Sequence, residues 1–215
     1  MSTSMTYNSL LADIRRYIER GTVSDTEVYA QLPTLINNAE RDIATKLKVL
    51  GLLEIVTDTM TVGTSVIAKP DRWRETASIN FGTGTGLTER TPLFPRSYEF
   101  CRSYWPDEAQ TEQPEFYADY GFNYWLVVPT PNLAYPFEVN YWQLPVLLDA
   151  ANQTNWLTDY APLALLYGTL LQSAPFLKND ERIQTWQQLY VDQLSSLDGQ
   201  DLQRIIDRSV VRSED

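Results

Sequence analysis

The sequence predicts an α+β protein in which N- and C-terminal helices form a bundle and a β-rich insertion occupies the centre. Three observations carry that prediction. Apolar residues recur at helical spacing through the first fifty residues and again after Asn155. Between these ends the pattern changes to short alternating runs. Prolines at nine positions from 70 to 145 cut those runs into strand-length pieces. Residues 1–51 and 155–208 are therefore assigned to the helical part and 52–150 to the β-rich part, and 215 residues suffice to bury a sizeable core. Two sets of amphipathic helices flanking a β segment need each other to cover their apolar stripes.

The elements follow in order. Tyr7, Leu10, Leu11, Ile14, Tyr17 and Ile18 share one helix face, and Gly21 stands where a C-terminal cap belongs. Ser24-Asp25-Thr26-Glu27 has the form of a capping box. Pro33 is expected to break or kink the helix that follows and to restart it. A stripe of Leu32, Leu35, Ile36, Ala39, Ile43 and Leu47 then runs to Gly51. "LLEIVTDTMTVGTSVIAKP" alternates about Gly63 and predicts a hairpin. Strand-like runs include "YWLVVP" and "YPFEVNYW", and a short helix fits Ser97 to Trp105. Leu163, Leu166, Tyr167, Leu170 and Ala174 return to helical spacing. Asn179 is placed to cap a last helix that buries Ile183, Trp186, Tyr190, Leu194 and Leu197 and stops near Gly199.

"FGTGTGLTER" (Phe81 to Arg90) gathers Gly82, Gly84 and Gly86 into one short stretch. A phosphate-binding loop needs backbone N–H groups converging at a helix N-terminus. Here the spacing is G-x-G-x-G, no lysine follows, and Pro92 and Pro95 prevent a helix of useful length. Ala77, Ile79 and Phe81 alternate with Ser78 and Asn80 before the loop, and "LTERTP" alternates after it. The stretch is a hairpin connection and no nucleotide site.

Composition narrows the chemistry. The chain has no histidine, which removes imidazole-based triads, zinc–imidazole sites and the usual general base near neutral pH. Net charge is −11, and no Lys or Arg occurs between Arg102 and Lys178. Such a surface repels phosphate backbones, so DNA is not expected to bind specifically. The single Cys101 excludes an internal disulfide and fits assembly in a reducing cytoplasm. No apolar run is long enough for a membrane helix, and "MSTSMTYNSL" has no features of an export signal. No cofactor, metal or catalytic residue is expected, and the chain is read as a non-enzyme.

Other residues deserve a chemical weighing. Residues 98–142 hold about half of the aromatics, Trp105, Trp125 and Trp142 among them. They read as a β core or a protein interface; a stacking platform for sugars or single strands is the alternative. Glu112 with Glu115 or Asp119 could form a glycosidase pair, but sequence spacing does not bring carboxylates together, and solvated surface is the simpler reading. Cys101, without an imidazole partner, reads as a buried inert thiol. Past Gly199, Leu202, Ile205 and Ile206 share a face beside Arg204, Arg208 and Arg212. Residues 200–215 either fringe the helical part or form an arm that orders against a partner protein.

The order of motifs resembles the head-to-tail adaptor proteins of tailed bacteriophages, of the tail tubular protein A type. "LPTLINNAERDIATKL" resembles their N-terminal helix and "KPDRWRETASI" their proline–aspartate–aromatic turn into a strand. "PEFYADYGFNYWLVVPTP" with "FEVNYWQLPVLL" is similar to their late strands, and "NWLTDYAPLALLYGTLLQSAPFLKNDERIQTWQQLY" to their helical end. The resemblance implies a single adaptor domain over 1–215 and a structural role in the virion neck, reached from the host cytoplasm during assembly. It implies a ring of twelve copies, with the helical part toward the portal protein and the β-rich part toward the tail tube or nozzle protein. DNA would pass through the lumen without specific binding. By the same analogy, Leu202, Arg204, Ile205, Ile206, Arg208 and Arg212 would belong to a portal-docking arm. Gly82, Gly84 and Gly86 would form a hairpin tip reaching the tail or a neighbouring subunit.

Overall fold

A computed structural model describes residues 5–48, 50–83, 87–176 and 181–208, with 200–208 described by their backbone path. The chain divides into two compact units, residues 1–52 with 144–215 and residues 53–143.

The first unit is helical. Helix α1 (Tyr7–Ile18) opens on a capping box between Thr6 and Ser9 and buries Tyr7, Leu10, Ile14 and Ile18. It ends at Glu19 in the left-handed region, two residues before Gly21 at φ 79°. Helix α2 (Thr26–Lys46) buries Val28, Leu32, Leu35, Ile36, Ala39, Ile43 and Ala44. It runs unbroken through Pro33, because the apolar stripe continues on both sides of the ring. Each Val, Leu or Ile among them contributes about 1.5–3 kcal/mol on burial, so several outweigh the roughly 3 kcal/mol that an interior proline costs. The predicted box at Ser24 to Glu27 does not form. Asp25 makes no side-chain cap bond, and its carboxylate takes Arg20 Nε at 3.0 Å instead. Helix α4 (Trp156–Tyr160) is capped by Asn155, and Pro162 opens α5 (Pro162–Gln172), which packs on α1 and α2. The long α6 (Arg182–Arg208) packs on α5 through Trp186 and Tyr190.

The second unit is built on a seven-stranded sheet. Its strands are β1 (Leu53–Thr59), β2 (Val66–Ala68), β3 (Trp73–Phe81), β4 (Thr91–Pro95), β6 (Phe116–Tyr120), β7 (Tyr124–Val128) and β9 (Pro136–Gln143). The order is β1-β9-β3-β4-β6-β7-β2, antiparallel except for β4 with β6. Two-residue strands β5 (Thr111–Glu112) and β8 (Thr130–Pro131) pair separately. The outermost strands, β1 and β2, are consecutive in sequence. Across a flat sheet they would lie six spacings apart, about 29 Å. The chain from Thr59 to Val66 reaches at most about 25 Å when extended, and a turn bond from Thr64 N–H to the Thr61 carbonyl shortens it. The sheet must therefore curl. Its concave core holds Ile79, Phe81, Trp125, Val127, Phe137, Val139 and Tyr141. Leu126 and Val128, on the other side of β7, pack with Cys101 of helix α3 (Tyr98–Tyr104).

These facts correct the predicted architecture. The class is α+β, but the molecule is dominated by a large sheet and is not a bundle of terminal helices carrying a β-rich insertion. The reason lies in strand pairing. Only β3–β4 and β6–β7 join consecutive strands; the other neighbours are remote in sequence and give the sheet a core of its own. The hairpin predicted about Gly63 is likewise replaced. Gly63 does turn, at φ 73°, but β1 pairs with β9 and β2 with β7.

Candidate functional site

Four side-chain constellations are candidates for function. The first centres on Glu40, fully buried on α2 one position from the apolar Ala39. Its Oε2 accepts from the Leu148 N–H at 3.0 Å and its Oε1 from Asn155 Nδ2. Asn37, with its amide nitrogen turned inward, donates to Glu40 Oε2 at 3.2 Å and to the Leu148 carbonyl at 3.1 Å. Burial raises the carboxyl pKa, and the bonds from Leu148 and Asn155 oppose that rise. Asn155 also caps α4 through its Oδ1, which accepts from the N–H groups of Leu157 and Thr158. One carboxylate and one amide thus tie α2, the segment before α4, and α4 itself. This is a fastening, with no open face for a substrate.

The second lies where α2, α5 and α6 meet. Asp42 Oδ2 accepts from Tyr190 Oη at 2.7 Å and from Lys46 Nζ at 2.6 Å. Burial, then the bond to Asp42, pushes the Tyr190 phenol far up, so it stays a neutral donor. A recess of about 350 Å³ opens here, lined by Gly168, Gln172, Gln187 and Leu194 among others. Gly168 is needed for the approach, since a Cβ there would lie 3.0 Å from the Tyr190 ring.

The third joins the start of β3 to the β6–β7 tip. The Lys69 side chain is 2% exposed and its ammonium stands 3.4 Å over the Trp73 ring. It pairs with Asp119 at 2.6 Å and donates to the Gly121 carbonyl at 3.3 Å. Thr76 Oγ1 accepts both indoles, Trp125 Nε1 at 2.9 Å and Trp73 Nε1 at 3.1 Å. Arg72 takes the left-handed conformation at φ 59° to make the turn. A buried cation held by a ring face and an exposed carboxylate is a structural clasp.

The fourth is the outer face of α3 with the end of β4. Phe94, Tyr98, Phe100 and Tyr104 are all at least 40% exposed. Phe100 and Tyr104 stack at 5.8 Å, and both meet Phe116 edge-on. Arg96 stands over Phe100 and Phe116; Arg102 stands over Tyr98 and Tyr120 and pairs with Glu108.

The structure distributes the residues singled out from the sequence as follows. Gly82 follows β3 and donates its N–H to the Pro136 carbonyl at 2.8 Å; Gly84 and Gly86 lie outside the described residues. β3 and β4 pair antiparallel, Phe81 opposite Thr91, so the second strand starts later than Leu87. α6 does not stop near Gly199 but continues to Arg208, so the backbone of Leu202, Arg204, Ile205, Ile206 and Arg208 extends a long helix. Asn179 and Arg212 lie outside the described residues. Trp125 is 1% exposed, which removes it from any sugar-stacking surface. Glu115 accepts from Tyr104 Oη at 2.9 Å and Asp119 is held by Lys69, so neither stands free as half of an acid–base pair with Glu112. Cys101 is buried, and burial raises its thiol pKa. Among the described residues, no group of three His, Cys, Asp or Glu is placed to hold a metal, and no helix is long and apolar enough to cross a membrane.

Glu40 and the α3 face were missed as sites. Glu40 was signalled by position alone, being four residues after Ile36 and three before Ile43 on the apolar stripe. The α3 face gave no such signal, because its rings converge from three elements.

The model of the SU10 adaptor protein family matches residues 5–213. No curated protein matches the sequence.

Proposed function

This chain belongs to the SU10 adaptor protein family, and we propose that it acts as a ring-forming head-to-tail adaptor, joining the portal to the tail and lining part of the DNA conduit. Its membership makes it a structural adaptor protein of the phage virion, of a family not typically enzymatic. The observation that carries the finer reading is the reach of the match, nearly the whole chain and both compact units.

The chemistry supports a conduit. A chain of net charge −11 presents carboxylates that push a phosphate backbone away from a wall, so DNA slides without sticking. The constellations at Glu40 and Lys69 fasten elements and offer no reaction centre. Residues 200–215 serve as the portal-docking arm, with Leu202, Ile205 and Ile206 as its apolar face and Arg204, Arg208 and Arg212 beside it. The 82–86 connection meets the tail or a neighbouring copy.

Electron microscopy of purified virions tests the reading. A ring of this chain, twelve copies around, is expected between portal and tail. Its absence from the neck overturns the proposal.

A further inference from the structure

The exposed aromatic face of α3 calls for a covering surface, and the charges around it restrict what that surface is. Phe94 is 53% exposed, Tyr104 43% and Phe100 40%; Phe100 and Tyr104 meet each other and Phe116, and Phe94 stands opposite Phe116 in the β4–β6 register. Isolated exposed rings are ordinary, but a contiguous group marks an interaction site. At its centre is Arg96. In the same unit Lys69, Arg90 and Arg102 each hold a carboxylate of their own chain, at Asp119, Glu138 and Glu108. Arg96 forms no ion pair among the described residues. One N–H goes to the Pro95 carbonyl, and the guanidinium lies over the Phe100 and Phe116 rings. A guanidinium carried on ring faces is oriented, partly dehydrated and ready for a carboxylate.

We propose that this face, with Arg96 at its centre, is half of the contact between neighbouring copies of the chain, and that it receives carboxylates of the base-free stretch 103–177 of the next copy that hold no Lys or Arg of their own among the described residues, the exposed Glu112 being one. The proposal rests on the ring reading above and names the surface that closes the ring. Charge complementarity selects the occupant. Copies that each carry −11 repel one another, so a closed ring of them needs cations at the seam. A head-to-tail contact joins two different patches of the same chain. Here one patch is aromatic with a guanidinium that holds no carboxylate among the described residues, and the other supplies those carboxylates of the base-free stretch that Lys69, Arg90 and Arg102 leave unengaged. Arg with exposed aromatic rings is also the composition that interface centres favour.

Two variants of the full chain test it, in virions assembled with each. Arg96→Glu is expected to lower incorporation into the neck at least tenfold while the isolated protein keeps its melting temperature, since Arg96 is a surface residue. Normal incorporation overturns the proposal. Arg96→Lys keeps the cation and supplies an amine for zero-length coupling to carboxylates. In particles assembled from mixed light and isotope-labelled copies, coupling is expected between position 96 of one copy and residues 103–177 of another. A ring seen in the neck with coupling only within copies overturns the proposed contact and leaves the ring standing. A neck without the chain overturns both.

Discussion

A fully buried carboxylate is expensive unless its oxygens are answered, and Glu40 is answered by Leu148, Asn155 and Asn37. Replacing it by alanine leaves the buried Leu148 N–H without an acceptor and takes one acceptor each from Asn155 and Asn37, and a loss of about 1–3 kcal/mol is expected in denaturant unfolding. The pH dependence has a definite sign. The folded-state pKa is raised above the ordinary 4.5, so the folded state binds the proton more readily than the unfolded one. The contribution of protonated Glu40 is full below the ordinary value and is lost as pH rises through the folded-state pKa. Stability measured upward from pH 4.5 should therefore fall more steeply in wild type than in Glu40→Gln. Equal slopes would place the burial penalty elsewhere. The position of Glu40 on the apolar stripe was visible in the sequence. Its partners were not, because Leu148 and Asn155 lie more than a hundred residues away and reach it through a segment without regular periodicity.

At the scale of elements, α2 shows packing overriding local preference. Pro33 offers no N–H to the preceding turn, and its ring crowds the carbonyl four residues back, yet the helix is continuous from Thr26 to Lys46. Pro33→Ala should stabilise the protein by about 1–3 kcal/mol, seen as a higher midpoint in denaturant with the same slope. A lower midpoint would mean that the proline restricts the unfolded chain more than it strains the helix. The stripes of α1, α2 and α6 were legible because burial at helical spacing is a local signal. The β strands were legible as pieces and illegible as a sheet. β7 reads "YWLVV", and Trp125 and Val127 pack into one core while Leu126 and Val128 pack into another. Nothing in that run says that its partners are β6 and β2. Gly63 signalled a turn correctly, but a turn does not require that its flanks pair, and here they pair with β9 and β7.

For the whole molecule, the family assignment gives the docking-arm proposal its test. Removing everything after Gly199 cuts α6 beyond Trp186 and Tyr190, the residues that anchor it. Portal attachment of the truncated protein should weaken at least tenfold, while its melting temperature falls by only about 2–4 °C. Equal attachment by both forms counts against the arm. The adaptor resemblance was legible because several modest motifs recur in order, whereas sheet dominance was not, since it depends on long-range pairing. That pairing has a mechanical consequence. In an open sheet, a force across the strands is resisted by hydrogen bonds, which unzip rung by rung. Here the first and last strands are also joined through residues 60–65, so the curled wall can widen only by the slack in that covalent tether. A wall of this kind behaves as a hoop drawn around the packed side chains it encloses.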